Sequence, residues 1–134
     1  MGYLILLRSE TEFLLITLSG TLLGGFGTWC IGREAYHVGL SGVIFSYFGY
    51  LMSTPCFETP VRVLSVLITV AVGVCYAGIL TSVLPTGVQA GVSWEGHLCG
   101  GLSGVLWCFA YHKWCGEEPG SYRSLPGDSR EPNL

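Results

Sequence analysis

Ser41, in Gly39-Leu40-Ser41-Gly42, and His97, in Gly96-His97-Leu98-Cys99-Gly100, are the two residues whose types and settings suit them to do covalent chemistry together. A serine hydroxyl is a weak nucleophile at neutral pH. A histidine that takes its proton is the least apparatus that lets it attack a carbonyl. The chemistry is acyl-transfer hydrolysis, which calls for no metal and no cofactor. Each residue stands at the amino-terminal edge of its own apolar segment, and one further apolar segment separates the two. In a bundle of alternating helices, that order brings both edges to one end.

Neither residue is decisive as a string. Gly101-Leu102-Ser103-Gly104 repeats the tetrapeptide around Ser41, so a small-residue packing stripe of Gly39, Ser41, Gly42, Ser46 and Gly49 stays open as the alternative. Position distinguishes the copies. Ser103 falls inside a segment, where helical N–H groups are already used. Ser41 falls at a start, where the first N–H groups have no partner within the helix and favour an anion. Histidine in a membrane segment is costly and is a functional candidate by default, although an interfacial ring bonded to a carbonyl is the plainer role. Gly100 and Gly104 share a helix face with His97 and would admit a close neighbour there. Phe45, one turn after Ser41, is a packing residue that would also lie against the His97 ring. His37 reads as a boundary residue and His112 as distant from the chemistry. Trp94 reads as an interfacial anchor and Glu95 as a solvated loop charge, with a third triad member as the alternative for Glu95.

The elements that must carry these residues follow from composition. The chain has 134 residues, of which 50% are hydrophobic and 11% charged, with a mean hydropathy of +0.55. A soluble domain carries about a quarter charged residues, so this composition belongs to the membrane class. The net charge of −3 and the lack of a basic patch give no reason to expect nucleic acid. Of the six cysteines, Cys30, Cys75, Cys99 and Cys108 lie within apolar runs and read as small hydrophobes. No Cys/His spacing suggests zinc.

Four apolar segments are predicted: 13–31, 39–52, 63–84 and 96–111. The second and fourth, at about 21 and 24 Å of helix, fall short of a hydrocarbon core about 30 Å thick. Their starts are therefore expected below the membrane surface, beside a cavity that water enters. The expected architecture is an all-α, polytopic membrane bundle of about four transmembrane helices. Its organisation is a short lead (1–12), a transmembrane domain (13–113) and a disordered hydrophilic tail (114–134). With four crossings, Arg8, Arg62, Lys113, Arg123 and Arg130 share one side and Arg33 takes the other. The excess marks the first side as cytoplasmic, so Ser41 and His97 are expected to face the outer or lumenal side.

At these residues the chain resembles the rhomboid family of intramembrane serine proteases. Gly39-Leu40-Ser41-Gly42 matches the family's GxSG, and His97, Gly100 and Gly104 match its HxxGxxxG. The stretches from His37 to Phe45 and from Ser93 to Leu98 are similar to the family as well, as is Phe13–Thr17 leading to Gly24-Gly25-Phe26-Gly27. The resemblance implies Ser41 as nucleophile and His97 as general base of a dyad, with the Ser41 N–H in the oxyanion hole. Gly39, Leu40, Gly42 and Phe45 take supporting places, and Gly100 and Gly104 pack helices. It implies substrates that are transmembrane proteins within the lipid bilayer, cut in or near their spans. It further implies a six-helix core, of which this chain supplies the third to sixth, with residues 1–7 as the end of the second. The family's oxyanion histidine and asparagine belong to that second helix, and the asparagine of this chain is Asn133. Loss of one such donor costs about 10²–10³ in turnover. The expected function is therefore intramembrane serine endopeptidase, or alternatively a catalytically impaired relative that binds transmembrane helices without cutting. A small channel or transporter subunit would need a polar pore face, which the spans do not offer.

Overall fold

The computed structural model of the chain describes residues 1–33, 40–83 and 93–114. These residues are all-helical, without a strand. The order is α1 (Gly2–Leu6), α2 (Glu10–Ile31), α3 (Ser41–Phe57), α4 (Val63–Cys75), a 3₁₀ helix (Ala77–Val83) and α5 (Trp94–Trp114). The expected tail, apart from Trp114, which ends α5, and the loop residues His37 and Gly39 lie outside the described residues.

Helix α2 begins at Glu10 because Ser9 caps it: the Ser9 Oγ accepts the Glu12 N–H at 3.3 Å. Glu10 and Glu12 in its first turn complement the helix dipole. Three residues of the expected lead thus belong to this helix. Its buried stripe is Glu12, Ile16, Ser19, Gly20, Gly24 and Thr28, whereas Leu14, Leu18, Leu22, Phe26 and Trp29 point outward. Small and polar residues inside, with large apolar ones outside, invert the pattern of a water-soluble helix and suit one solvated by lipid. Among the described residues α2 alone has both the length and the apolar composition to cross a membrane. Four such spans were expected.

The other segments depart from prediction for identifiable reasons. α3 runs five residues past the expected end at Met52, straight through Pro55. Proline has no N–H to donate to the Leu51 carbonyl four residues back. Thr69 of α4 takes that place, donating its hydroxyl to the Leu51 carbonyl at 2.8 Å. α4 ends at Cys75 rather than Leu84, and the chain tightens into the 3₁₀ helix, with Gly73 and Gly78 on either side of the change. Glycine is a poor helix former, second only to proline. α5 spans 21 residues, not the short helix expected, and carries Glu95, His97, His112 and Lys113.

α3 is the central helix and packs against α1, α2, α4 and α5. Its contact with α5 is backbone against backbone. A methyl group at Gly100 would overlap Gly42, one at Gly49 would overlap Gly101, and one at Gly104 would overlap Ser46. α2 joins the same seam, where a methyl at Gly20 would strike the Ser46 side chain and one at Gly24 would meet the Gly100 Cα at 3.4 Å. With lipid-like surroundings giving no hydrophobic drive between helices, such close approach is how dispersion holds them. The larger apolar cluster, including Ile5, Ile16, Phe48, Tyr50, Leu51, Val72 and Cys108, fills the other half of the bundle.

That half ends in a buried polar network. Tyr50 donates its hydroxyl to the Glu12 carboxylate at 2.6 Å, and Arg8 lies 3.9 Å from Glu12 and 3.5 Å from Glu58. Arg62 stands 3.4 Å from Glu58, which also accepts the Ser65 hydroxyl. Two buried carboxylates are thus matched by two guanidinium groups. A buried charge is tolerable when it is paired and hydrogen-bonded in this way. The network ties the starts of α2 and α4 to the end of α3.

Candidate active site at the amino-terminal ends of α3 and α5

Ser41 is the first residue of α3 and is exposed, following the exposed Leu40 at the cap. The first bond of the helix runs from the Ile44 N–H to the Leu40 carbonyl at 3.1 Å. The N–H groups of Ser41, Gly42 and Val43 therefore have no acceptor within α3, as at any helix start. The repeated motif is placed otherwise. Ser103 is buried in the middle of α5 and donates to the Gly100 carbonyl at 2.7 Å.

His97 is the fourth residue of α5 and is 7% exposed. Its imidazole lies flat on the Phe45 ring, with centroids 4.3 Å apart and planes 20° from parallel. Phe45 stands one turn after Ser41, so the two rings join the first turns of α3 and α5. The crossing beside them is the Gly42–Gly100 contact, and a methyl at Gly42 would lie 3.4 Å from the Gly96 carbonyl. Helical spacing makes this possible. Gly96 and Gly100 are one turn apart, and His97 leaves the same turn beside them.

Two hollows border these residues, one at the helix ends and one running along α3 as far as Phe57. Ser41 lines a cleft of about 180 Å³ with Thr21, Gly24, Thr28, Gly42 and Ser93. His97 lines an apolar groove of about 500 Å³ with Phe45, Met52, Leu80, Gly101 and Val105. The serine and the imidazole thus belong to one helix-end crossing but face different hollows. Among the described residues no three His, Cys, Asp or Glu side chains converge as they would on a metal. His112 sits at the other end of α5, in its last turn.

Glu95 corrects the sequence reading. It is fully buried rather than solvated, and its carboxylate meets the Arg33 guanidinium at 2.6 Å and again at 3.4 Å. Arg33 follows the last turn of α2, so the pair bridges the end of α2 and the start of α5. Ser93 caps α5, its hydroxyl accepting the Gly96 N–H at 3.1 Å. The capping serine was visible in the sequence by type and position. The ion pair was not, because its partners are 62 residues apart.

An all-helical protein that sets a serine and a histidine at one glycine-lined crossing is the class these observations define. The chain belongs to the rhomboid family: the Rhomboid domain model matches residues 4–114. A protein of Mycobacterium leprae (strain TN), named only as uncharacterised, is 37% identical over 113 residues, covering 79% of this chain and 44% of its own length. An uncharacterised protein of Mycobacterium tuberculosis (strain ATCC 25618 / H37Rv) is 34% identical over 113 residues, or 79% of this chain and 46% of its own. A protein of Acanthamoeba polyphaga mimivirus whose name places it among rhomboids is 34% identical over 91 residues, 67% of this chain and 45% of its own. The chain thus spans less than half the length of these relatives. No solved structure matches.

Proposed function

We propose that this chain carries the serine–histidine half-site of an intramembrane serine endopeptidase. Ser41 Oγ attacks a peptide carbonyl, and His97 accepts the hydroxyl proton. The tetrahedral oxyanion is held by N–H groups at the start of α3, Ser41's own among them. When the C–N bond breaks, His97 returns the proton to the leaving amine and an ester to Ser41 remains. Water, losing its proton to His97, then hydrolyses that ester and restores the serine. The substrates are membrane proteins cut in or near their transmembrane segments. In this reading α2 to α5 are four membrane crossings, with Ser41 and His97 toward the outer or lumenal side and the Arg8 end cytoplasmic.

The observation that carries the reading is the stack of a buried His97 on Phe45, one turn from Ser41, where α3 and α5 touch at Gly42 and Gly100. The family to which the chain belongs supports it. The test is labelling of the membrane-embedded chain with a fluorophosphonate, which traps an activated serine. Ser41→Ala and His97→Ala are expected to abolish the label. A second reading, a rhomboid-like protein that holds transmembrane helices without cutting, is favoured by the different hollows that Ser41 and His97 face. Failure of a folded, intact chain to label would select it.

A further inference from the structure

The Arg33–Glu95 pair stands outside the chemistry just described, yet Glu95 is two residues from His97 in the first turn of α5. The turn that presents the imidazole has the Ser93 cap in its favour and glycine against it. Gly96, Gly100 and Gly101 follow one another closely, and each glycine costs a helix about 1 kcal/mol relative to alanine. Against that weakness stands a carboxylate that is 1% exposed, paired at 2.6 Å with a guanidinium that is 63% exposed. Both charges lie where helix dipoles favour them, Glu95 in the first turn of α5 and Arg33 just past the last turn of α2. A buried carboxylate deprived of its cation would have to take up a proton or pull out toward water. Pulling out would unwind the turn on which His97 sits.

We infer that Arg33 and Glu95 are positioning residues for His97: their ion pair pins the first turn of α5 to the end of α2 and so fixes the imidazole on Phe45. The inference rests on the proposed serine–histidine reading for its catalytic consequence, but not for the pinning itself. The pair acts through the backbone of the turn, which carries Glu95 and His97 two residues apart. Loss of geometry of about 1 Å at a reacting group costs about a hundredfold in rate, so the effect is expected in reactivity before it appears in overall folding.

The experiment uses the full chain in membranes, with the fluorophosphonate labelling rate of Ser41 per folded molecule measured against pH. Arg33→Ala, which takes the cation from the buried Glu95 carboxylate and leaves it the Ser93 hydroxyl at 3.5 Å, is expected to slow labelling about tenfold to a hundredfold and to move its pH midpoint. Arg33→Ala combined with Glu95→Gln removes both charges and is expected to lose less than Arg33→Ala alone. Arg33→Lys is expected to recover part of the rate. A role confined to stability would change how much protein labels while leaving the rate constant and midpoint of the labelled fraction in place, and that result overturns the inference. Backbone hydrogen exchange at Gly96, His97 and Leu98 supplies the reading that does not depend on reactivity. Faster exchange there in Arg33→Ala, with α3 unchanged, supports the pin even if the wild-type chain never labels, an outcome that would defeat the dyad reading alone. Unchanged exchange at those three amides overturns the pin whatever Ser41 does.

Discussion

Phe45 holds the His97 ring from one side, in an offset that gives both rings favourable contact, and such pairs contribute about 0.5–1.5 kcal/mol beyond the area they bury. The imidazole, which takes a proton from Ser41 in the proposed reaction, is thereby restricted in rotation. Phe45→Ala is expected to slow Ser41 labelling about tenfold or more while Phe45→Tyr retains most of the rate, since loss of orientation is costly where a base must meet its partner. Equal rates for Phe45→Ala and wild type would remove the ring from the account. A second residue-scale prediction concerns Tyr50, whose hydroxyl bonds the buried Glu12. Tyr50→Phe leaves that carboxylate one donor short and is expected to lose about 1.5–3 kcal/mol in a denaturant titration in micelles, the range for a bond to a charged group. No loss would mean that Arg8 alone satisfies Glu12. Sequence reasoning put Ser41 and His97 at segment starts and Phe45 one turn after Ser41, and the first turns of α3 and α5 hold them there. It misplaced Glu95 and was silent on Glu12 and Glu58, for a physical reason. A charge in an otherwise apolar chain reads as solvated unless its partner is known: Arg33 and Tyr50 reach Glu95 and Glu12 from distant parts of the chain, whereas Arg8–Glu12 and Glu58–Arg62 stand four residues apart and were open to reading from spacing.

At the scale of elements, glycine has two different meanings in this bundle. Gly100 has the Gly42 backbone against it, whereas nothing lies within 4 Å of a methyl group placed at Gly25. Gly100→Ala is therefore expected to push α3 and α5 apart, lower the melting temperature and abolish labelling. Gly25→Ala is expected to be neutral or to stabilise by up to about 1 kcal/mol, the helix preference of alanine. Thermal melts of the two variants in one detergent check the contrast, and equal losses would contradict it. The passage of α3 through Pro55 makes a sharper case. Thr69→Val orphans the Leu51 carbonyl and is expected to cost about 1–3 kcal/mol. In a Pro55→Ala background the restored N–H takes over, so the same substitution should cost less, and the cycle of four proteins measures the difference. Predicted segment ends at Met52 and Leu84 missed this arrangement because both were placed from local signals. A proline tolerated by a threonine on another helix is decided by a tertiary neighbour, whereas the tightening after Cys75 falls between Gly73 and Gly78, two weak helix formers that the apolar run concealed.

Taken whole, the molecule has two ends of different character. The end with Arg8, Glu12, Glu58 and Arg62 is a closed polar network whose charges balance. The other end carries the exposed Ser41, the cleft beside it, and the buried Glu95 carboxylate pinned by Arg33. Between them runs a seam of glycine and serine with leucine, phenylalanine and tryptophan turned outward, as a bundle solvated by lipid requires. Membership of the rhomboid family fits that division, and the family's motifs fall on the helix starts at the open end. In the proposed reaction this end makes Ser41 a nucleophile through His97. The decisive experiment is to react the membrane-embedded chain with a fluorophosphonate and identify the modified residue by mass spectrometry. The expected result is a single adduct on Ser41, none on Ser103, and loss of the adduct in His97→Ala. An adduct that forms equally well without His97, or none on a correctly folded chain, would contradict it.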